Sequence, residues 1–254
     1  MKDYHCNNPK HDPPRHHPLE CVTVCIGYAD FLAVSMPLNL PQLDRWIVVT
    51  EPGDNATRRL CKEYGVQCII SQDAFRHDSP FNKGRLIERG LQHTSEDGWR
   101  LHLDADVVLP SQTRHYLKAA ELDTTCIYGA DRMMVKSYAD WQKVSSYLHQ
   151  HRYTSGMYVP GLQLGTRWTS TATGYVPIGF FQLWHSSQDQ YEGIRSRPYP
   201  DRHNDACRSD IQFALLWDRP HRQLLPEFVV FHLESEPAKL GANWLGRVTK
   251  RFGK

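Results

Sequence analysis

The sequence predicts a single α/β domain whose central sheet is mostly parallel and flanked by helices. Two observations carry this reading. Up to Pro110, short apolar runs alternate with amphipathic ones, the pattern of strands joined by crossover helices. Polar side chains also recur just past the apolar runs, at Tyr28, Thr50, Ser71 and Asp104. Those are carboxyl ends of strands, where parallel sheets gather their ligands.

The elements follow in order. Residues 1–18 are polar and rich in His and Pro and read as a flexible arm. Cys6, His5, His11, His16 and His17 could bind a soft metal, but their spacing matches no structural zinc pattern, and an unstructured arm is favoured. Cys21–Ala29 is a first buried strand and Arg45–Pro52 a second, with a short helix between them broken by Pro37. Asp54 or Asn55 caps a helix that ends at Gly65. Val66–Ser71 is a third strand. The segment from Phe81 is a helix turning Leu86, Ile87 and Leu91 inward. A strand from Trp99 comes next, then a helix capped by Ser111, a strand near Ile127 and an amphipathic helix from Tyr138. GYVPIGFFQLWH reads as a strand or hairpin, SDIQFALLWD as a helix opened by Ser209, and EFVVFHL as a last buried strand. Residues 19–236 thus form the domain, 19–110 its nucleotide-binding half and 111–236 its acceptor half. Residues 237–254 are a basic tail.

Composition narrows the function. The chain has 254 residues, 40% of them hydrophobic, enough for a buried core. A formal net charge of +2 will not by itself hold the protein on nucleic acid or on an anionic membrane. Seven cysteines, an odd count without a dense framework and with Cys21, Cys25, Cys61, Cys68 and Cys126 in apolar or helical surroundings, point to reduced thiols and a cytoplasmic setting. No apolar run reaches membrane-spanning length, so neither a signal peptide nor an anchor is expected.

The chemistry is concentrated in WRLHLDADVVLP, Trp99–Pro110. Two carboxylates in so apolar a run are costly unless neutralised, and a divalent cation, Mn²⁺ or Mg²⁺, is the usual partner. Residues two apart share a strand face, so Asp104 and Asp106 are expected to address one site. Asn82 and Lys83 stand before a helix N-terminus, which favours the phosphates of a ligand. His232 ends an apolar strand and is a candidate third metal ligand. Asp210, near a helix start, is a candidate general base, with Asp205 and then Asp189 as rivals. Trp184 and His185 are expected to face an acceptor.

The ordered set FNKGRLIERGL, HLDADVVLP, a Gly/aromatic strand, SDIQFA and FHL resembles the GT-A glycosyltransferases over about Cys21–Leu233. The resemblance implies a GT-A, Rossmann-like sheet and a nucleotide-sugar donor, with UDP-sugar the first choice. It implies that Asp104 contacts ribose and metal, and that Asp106 and His232 complete the metal site. Asp210 would be the base of an inverting transfer, with Asp205 beside the acceptor. Tyr28, Thr50 and Asp73 would lie near base and ribose. The Gly/aromatic segment lacks the paired acidic residues of some such families, so Asp210 and Asp205 both stay open as the base.

The chain also looks like the small stand-alone members of bacteriophages and bacteria, some of which decorate hydroxymethylated pyrimidines in DNA. Arg195, Arg197, Arg202, Arg208, Arg219 and Arg222, interleaved with Tyr191, Tyr199, Trp217 and Trp244, fit such an acceptor. A 5-hydroxymethylpyrimidine in DNA therefore leads, ahead of a cell-envelope glycan, a protein or a small metabolite. Two other classes fare worse. A nucleotidyltransferase would carry a Gly-rich loop where this chain reads GYADFL. A non-catalytic nucleic-acid module would be strongly basic.

Overall fold

Leu19–Val24 (β1) is buried along its whole length because it runs through the middle of the sheet. The computed structural model describes residues 17–78, 81–151, 158–187, 199–200, 208–234 and Phe252. Arg45–Thr50 (β2), Gln67–Ile70 (β3) and Trp99–Leu103 (β4) complete a parallel half, with β2 and β4 on either side of β1. Ala29–Asn39 (α1), Asn55–Tyr64 (α2) and Lys83–Leu91 (α3) lie in the connections.

The second half is mixed. Its strands are Val107–Val108 (β5), Ile127–Val135 (β6), Gln163–Leu164 (β7), Phe181–His185 (β10) and Arg222–Leu233 (β11). Thr169–Ser170 (β8) and Gly174–Tyr175 (β9) form a separate small ribbon. The sheet order is β3-β2-β1-β4-β10-β6-β11-β5, with β7 on β6. Strand β10 is antiparallel to β4 and β6, whereas β11 is parallel to β6. Thr113–Ala119 (α4), Tyr138–His151 (α5) and Arg208–Ala214 (α6) are the remaining helices among the described residues.

Strand alternation builds the two-sided core. Cys21, Trp46, Val48, Leu101, Leu103 and Leu183 pack on one side. Val22, Val24, Ile47, Val49 and Trp184 pack on the other with Leu86, Ile87 and Phe213. Gly90 lets α3 lie flat on the sheet, since a Cβ there would sit 2.3 Å from Val22 Cγ1. Asp54 caps α2 by accepting from Thr57 N at 3.0 Å, and Gly65 ends it in the left-handed region at φ +66°.

Several expectations need correction. Asp104 and Asp106 do not share a strand face, because β4 stops at Leu103 and the aspartates form a turn into β5. Helix α1 runs through Pro37 instead of breaking there. Its Ser35 and Asn39 are tied to residues 105–109, and those bonds hold the helix where proline removes one of its own. Helix α4 begins behind Gln112, at φ +68° and with no side-chain cap, instead of behind Ser111. Strand β9 pairs with β8, so GYVPIGFFQLWH is not a hairpin. Helix α6 starts at Arg208, one residue before Ser209. Of the tail, Phe252 is buried and stacks on Phe31 at 4.8 Å.

Candidate active site

The aspartate turn is held by backbone and side-chain bonds on every side. Asp104 N donates to Phe180 O at 3.2 Å and Leu233 N to Asp106 O at 2.7 Å. From behind, Ser35 Oγ donates to Ala105 O at 2.7 Å. Asn39 donates to Val107 O at 2.7 Å and accepts from Leu109 N at 2.8 Å. These two side chains, fully buried on α1, fix the turn, and sequence reasoning missed both. The signal was present as two polar residues four apart in a helix that is apolar from Phe31 onward.

On the open side, Lys83 Nζ donates to Asp104 Oδ1 at 2.6 Å. Burial works against the lysine's charge, but Asp104, Asp210 and Asp106 outweigh it and its pKa rises. Burial likewise opposes the Asp104 charge, yet Lys83 and its neighbours hold that carboxyl below its usual range. His102, beneath Asp104 with Nε2 3.6 Å from Oδ1, is pushed down to about 3 by burial and by Lys83. It stays neutral, so Lys83 supplies the countercharge. Asn82 Oδ1 accepts from Arg85 N at 3.2 Å and so caps α3.

His232 Nε2 stands 3.6 Å from Asp106 Oδ1, and its Nδ1 stands 3.7 Å from Glu234 Oε1. Glu234 is a third residue that sequence reasoning missed. Its place two residues beyond His232, past the end of β11, is what brings it there. Burial pushes the Asp106 carboxyl up, countered in part by His232. Asp106 Oδ1 and His232 Nδ1 are both buried without a hydrogen-bond partner. The unpaired Asp106 Oδ1, facing His232 Nε2 beside a second carboxylate, fits a hard or borderline divalent cation, while Nδ1 is turned to Glu234. Asp104 turns instead to Lys83, so the three expected ligands are not drawn into one tight cluster.

Asp210, in the first turn of α6, accepts from Gly179 N at 2.5 Å and from Ile211 N at 2.8 Å. Burial raises its pKa to about 6, against the pull of Lys83 and of those N–H groups. Gly179 must be glycine for this seat, since a Cβ there would meet Asp210 Oδ2 at 2.6 Å. Asp205 and Asp189 lie outside the described residues.

The other expected residues divide. Tyr28 is half-buried at the start of α1 and stacks on Phe31 at 5.5 Å. Thr50 is buried and its Oγ1 donates to Asp54 Oδ2 at 3.4 Å. Asp73 is buried and accepts from Arg89 Nε at 2.8 Å. Trp184 and His185 do not face the site. Because β10 is antiparallel, Phe181 pairs with Leu103 beside the aspartates and His185 pairs with Trp99 at the far end of β4. Trp184 is core, against Phe213. Tyr199 and Trp217 are also buried, both packed on Phe213, so neither offers a face to an extruded base. Tyr191, Arg195, Arg197, Arg202 and Trp244 lie outside the described residues.

No protein-family model matches the chain, and no curated protein matches it in sequence. Solved structures match it in shape. A mannosyltransferase from Pyrobaculum calidifontis, in complex with GDP-mannose and Mn²⁺, aligns at TM-score 0.51 and 14% identity over 92% of this chain. This chain spans 61% of that protein's length. Glucosyl-3-phosphoglycerate synthase from Mycobacterium tuberculosis, in complex with UDP, aligns at TM-score 0.46 and 11% identity over 91% of this chain and 75% of that one. The fold is the GT-A fold, a mixed and mostly parallel α/β sheet flanked by helices. No helix among the described residues is long and apolar enough to cross a membrane.

Proposed function

We propose that this protein is a metal-dependent glycosyltransferase that moves a sugar from a nucleotide sugar, first choice a UDP-sugar, to an acceptor hydroxyl with inversion. One observation carries the reading. Lys83, Asp104, Asp106, Asp210 and His232, from three separate elements and the turn after β4, lie together at the ligand-binding ends of a GT-A sheet. The GDP-mannose and Mn²⁺ complex of the mannosyltransferase supports the donor class and the metal.

In this reading Asp106 and His232, with Asp104, hold Mn²⁺ or Mg²⁺, and Glu234 orients His232 from behind. The bound cation supplies Lewis-acid stabilisation of the leaving diphosphate. Lys83 adds a positive charge to the same phosphates, with Asp104 holding it in place until they arrive. Tyr28 and Thr50 mark the side for the nucleoside, with Asp73 ordering the segment next to it. The acceptor oxygen forms a bond to the anomeric carbon as the bond to the diphosphate oxygen breaks. Asp210 takes the acceptor's proton. Its pKa of about 6 suits a base that is ionised near neutrality and still strong enough to accept a proton.

Among acceptors, a 5-hydroxymethylpyrimidine in DNA loses Tyr199 and Trp217 as stacking platforms. It stands as one arm of the test beside glycan, protein and small-metabolite hydroxyls. The test is release of nucleoside diphosphate from a panel of nucleotide sugars with Mn²⁺, with and without each acceptor, including DNA carrying 5-hydroxymethylcytosine. Metal-dependent release that Asp106→Asn abolishes supports the proposal. Equal release by Asp106→Asn and Asp210→Asn would overturn the site.

A further inference from the structure

A second cluster of metal-ligating side chains lies at the other end of the same strands. His17 precedes β1, Asp97 precedes β4 and His185 ends β10, and these are three neighbouring strands of the sheet. His17 Nδ1 is 3.2 Å from Asp97 Oδ1 and 3.4 Å from His185 Nε2, and His185 Nε2 is 3.6 Å from Asp97 Oδ1. The cluster is separated from the aspartate turn by the length of β4, roughly 20 Å at about 3.3 Å per residue.

We propose that His17, Asp97 and His185 form a zinc site that staples β1, β4 and β10 together. The three spacings are those of ligands around one cation. Ligands about 2.05 Å from a tetrahedral zinc lie about 3.3 Å apart. Ligands around an octahedral ion of similar bond length lie closer, about 3.0 Å apart. The observed triangle, 3.2 to 3.6 Å on a side, has room for a tetrahedral zinc. Two imidazoles and one carboxylate suit zinc better than the hard cations of the aspartate turn. One proton can bridge only two of the three atoms at a time, whereas one cation satisfies all three.

The site is built into the fold. The residue after each ligand is pinned to a neighbouring strand. Trp99 N donates to Pro18 O at 2.8 Å, Ser186 N donates to Gly98 O at 2.9 Å, and Gly98 N donates to Ser186 Oγ at 2.8 Å. A Cβ on Gly98 would lie 2.8 Å from Pro18 O, so glycine permits this approach. The Trp99 ring packs edge-on against His185 at 5.2 Å and fixes the imidazole. Ser187 Oγ, 2.9 Å from His185 Nδ1, accepts a hydrogen bond from Nδ1–H when Nε2 binds metal. Without metal the reverse tautomer is held by Ser187 N, which donates to Nδ1 at 3.2 Å. The His185 side chain is 4% exposed and that of Asp97 61% exposed, so zinc has a path from solvent to a buried ligand.

The test is zinc titration of the tag-free, metal-stripped full chain without nucleotide sugar, counting bound metal and recording Tm. His17→Ala and Asp97→Asn change the two more exposed ligands and so leave the fold intact. Wild type and Asp106→Asn are expected to bind one tight equivalent with a rise in Tm. His17→Ala and Asp97→Asn are expected to lose both responses while keeping the metal-free Tm. No tight zinc in wild type would overturn the proposal. So would zinc that His17→Ala and Asp97→Asn retain but that joint replacement of His5, Cys6, His11 and His16 removes.

Discussion

Lys83 and Asp104, 21 residues apart in sequence, form a 2.6 Å ion pair with side chains 13% and 25% exposed. The lysine expected to meet a diphosphate is held by an aspartate expected to meet ribose and metal. Each keeps the other charged and poised until a donor arrives. Lys83→Met leaves Asp104 without its partner and is expected to cost about 2–4 kcal/mol at neutral pH. Adding Asp104→Asn should recover most of that loss. Urea unfolding of the two single variants and the double variant measures the coupling.

Asp106→Asn removes the charge of a carboxylate whose buried Oδ1 makes no hydrogen bond in the fold. It is expected to fold normally and to lose turnover by at least about a hundredfold, since metal stabilisation of a leaving group supplies several kcal/mol. Diphosphate release at saturating Mn²⁺, beside the circular dichroism of the variant, checks both halves of the expectation.

Asp210 gives the pH signature. With its pKa near 6, kcat/KM should fall about tenfold per unit as pH drops below that value. The stability effect has the opposite sense. A carboxyl whose folded pKa lies above its unfolded value of 3.8 binds more protons when folded. Its contribution therefore falls as pH rises from about 4 to 6. The stability of Asp210→Asn relative to wild type should thus rise by about 3 kcal/mol across that window. A flat difference in denaturant midpoints between pH 4 and 7 would refute the assigned environment.

Asn39→Leu keeps the shape of α1 but strips partners from Val107 O and Leu109 N. Leaving two buried backbone groups unpaired is expected to cost about 2–4 kcal/mol. Because those groups brace the aspartate turn, activity should fall even where the variant is fully folded. Paired measurements of unfolding and turnover at low temperature separate the two effects.

Much of this site is legible in the chain itself. Apolar runs broken by polar ends mark β1, β2, β3 and β11, and Asp104, Asp106, Lys83, Asp210 and His232 do gather in one place. What the sequence hides is direction and partnership. A strand pattern reads the same forwards and backwards, so nothing in GFFQLWH tells that β10 runs against β4. Taken as parallel, its last residue belongs at the ligand end. Taken as built, His185 belongs to the opposite edge. Ser35 and Asn39 escape for another reason. Their partners lie 70 residues away, and a lone polar side chain in an apolar helix gives no clue to what it will bind.

The position of β11 has a consequence for how the chain is made. It is the last strand among the described residues, yet it lies between β6 and β5. A ribosome releases everything from Leu19 onward before that gap can be filled. Until then β5 has no strand to pair with and β6 carries an open edge, the kind of surface that invites stray association. The candidate site and the continuous sheet are therefore completed by one late event, the arrival of residues 222–233. Folding should be slow, as its long-range pairings require. A nascent chain stalled before Phe228 should be recovered as aggregate, with no folded but inactive domain beside it.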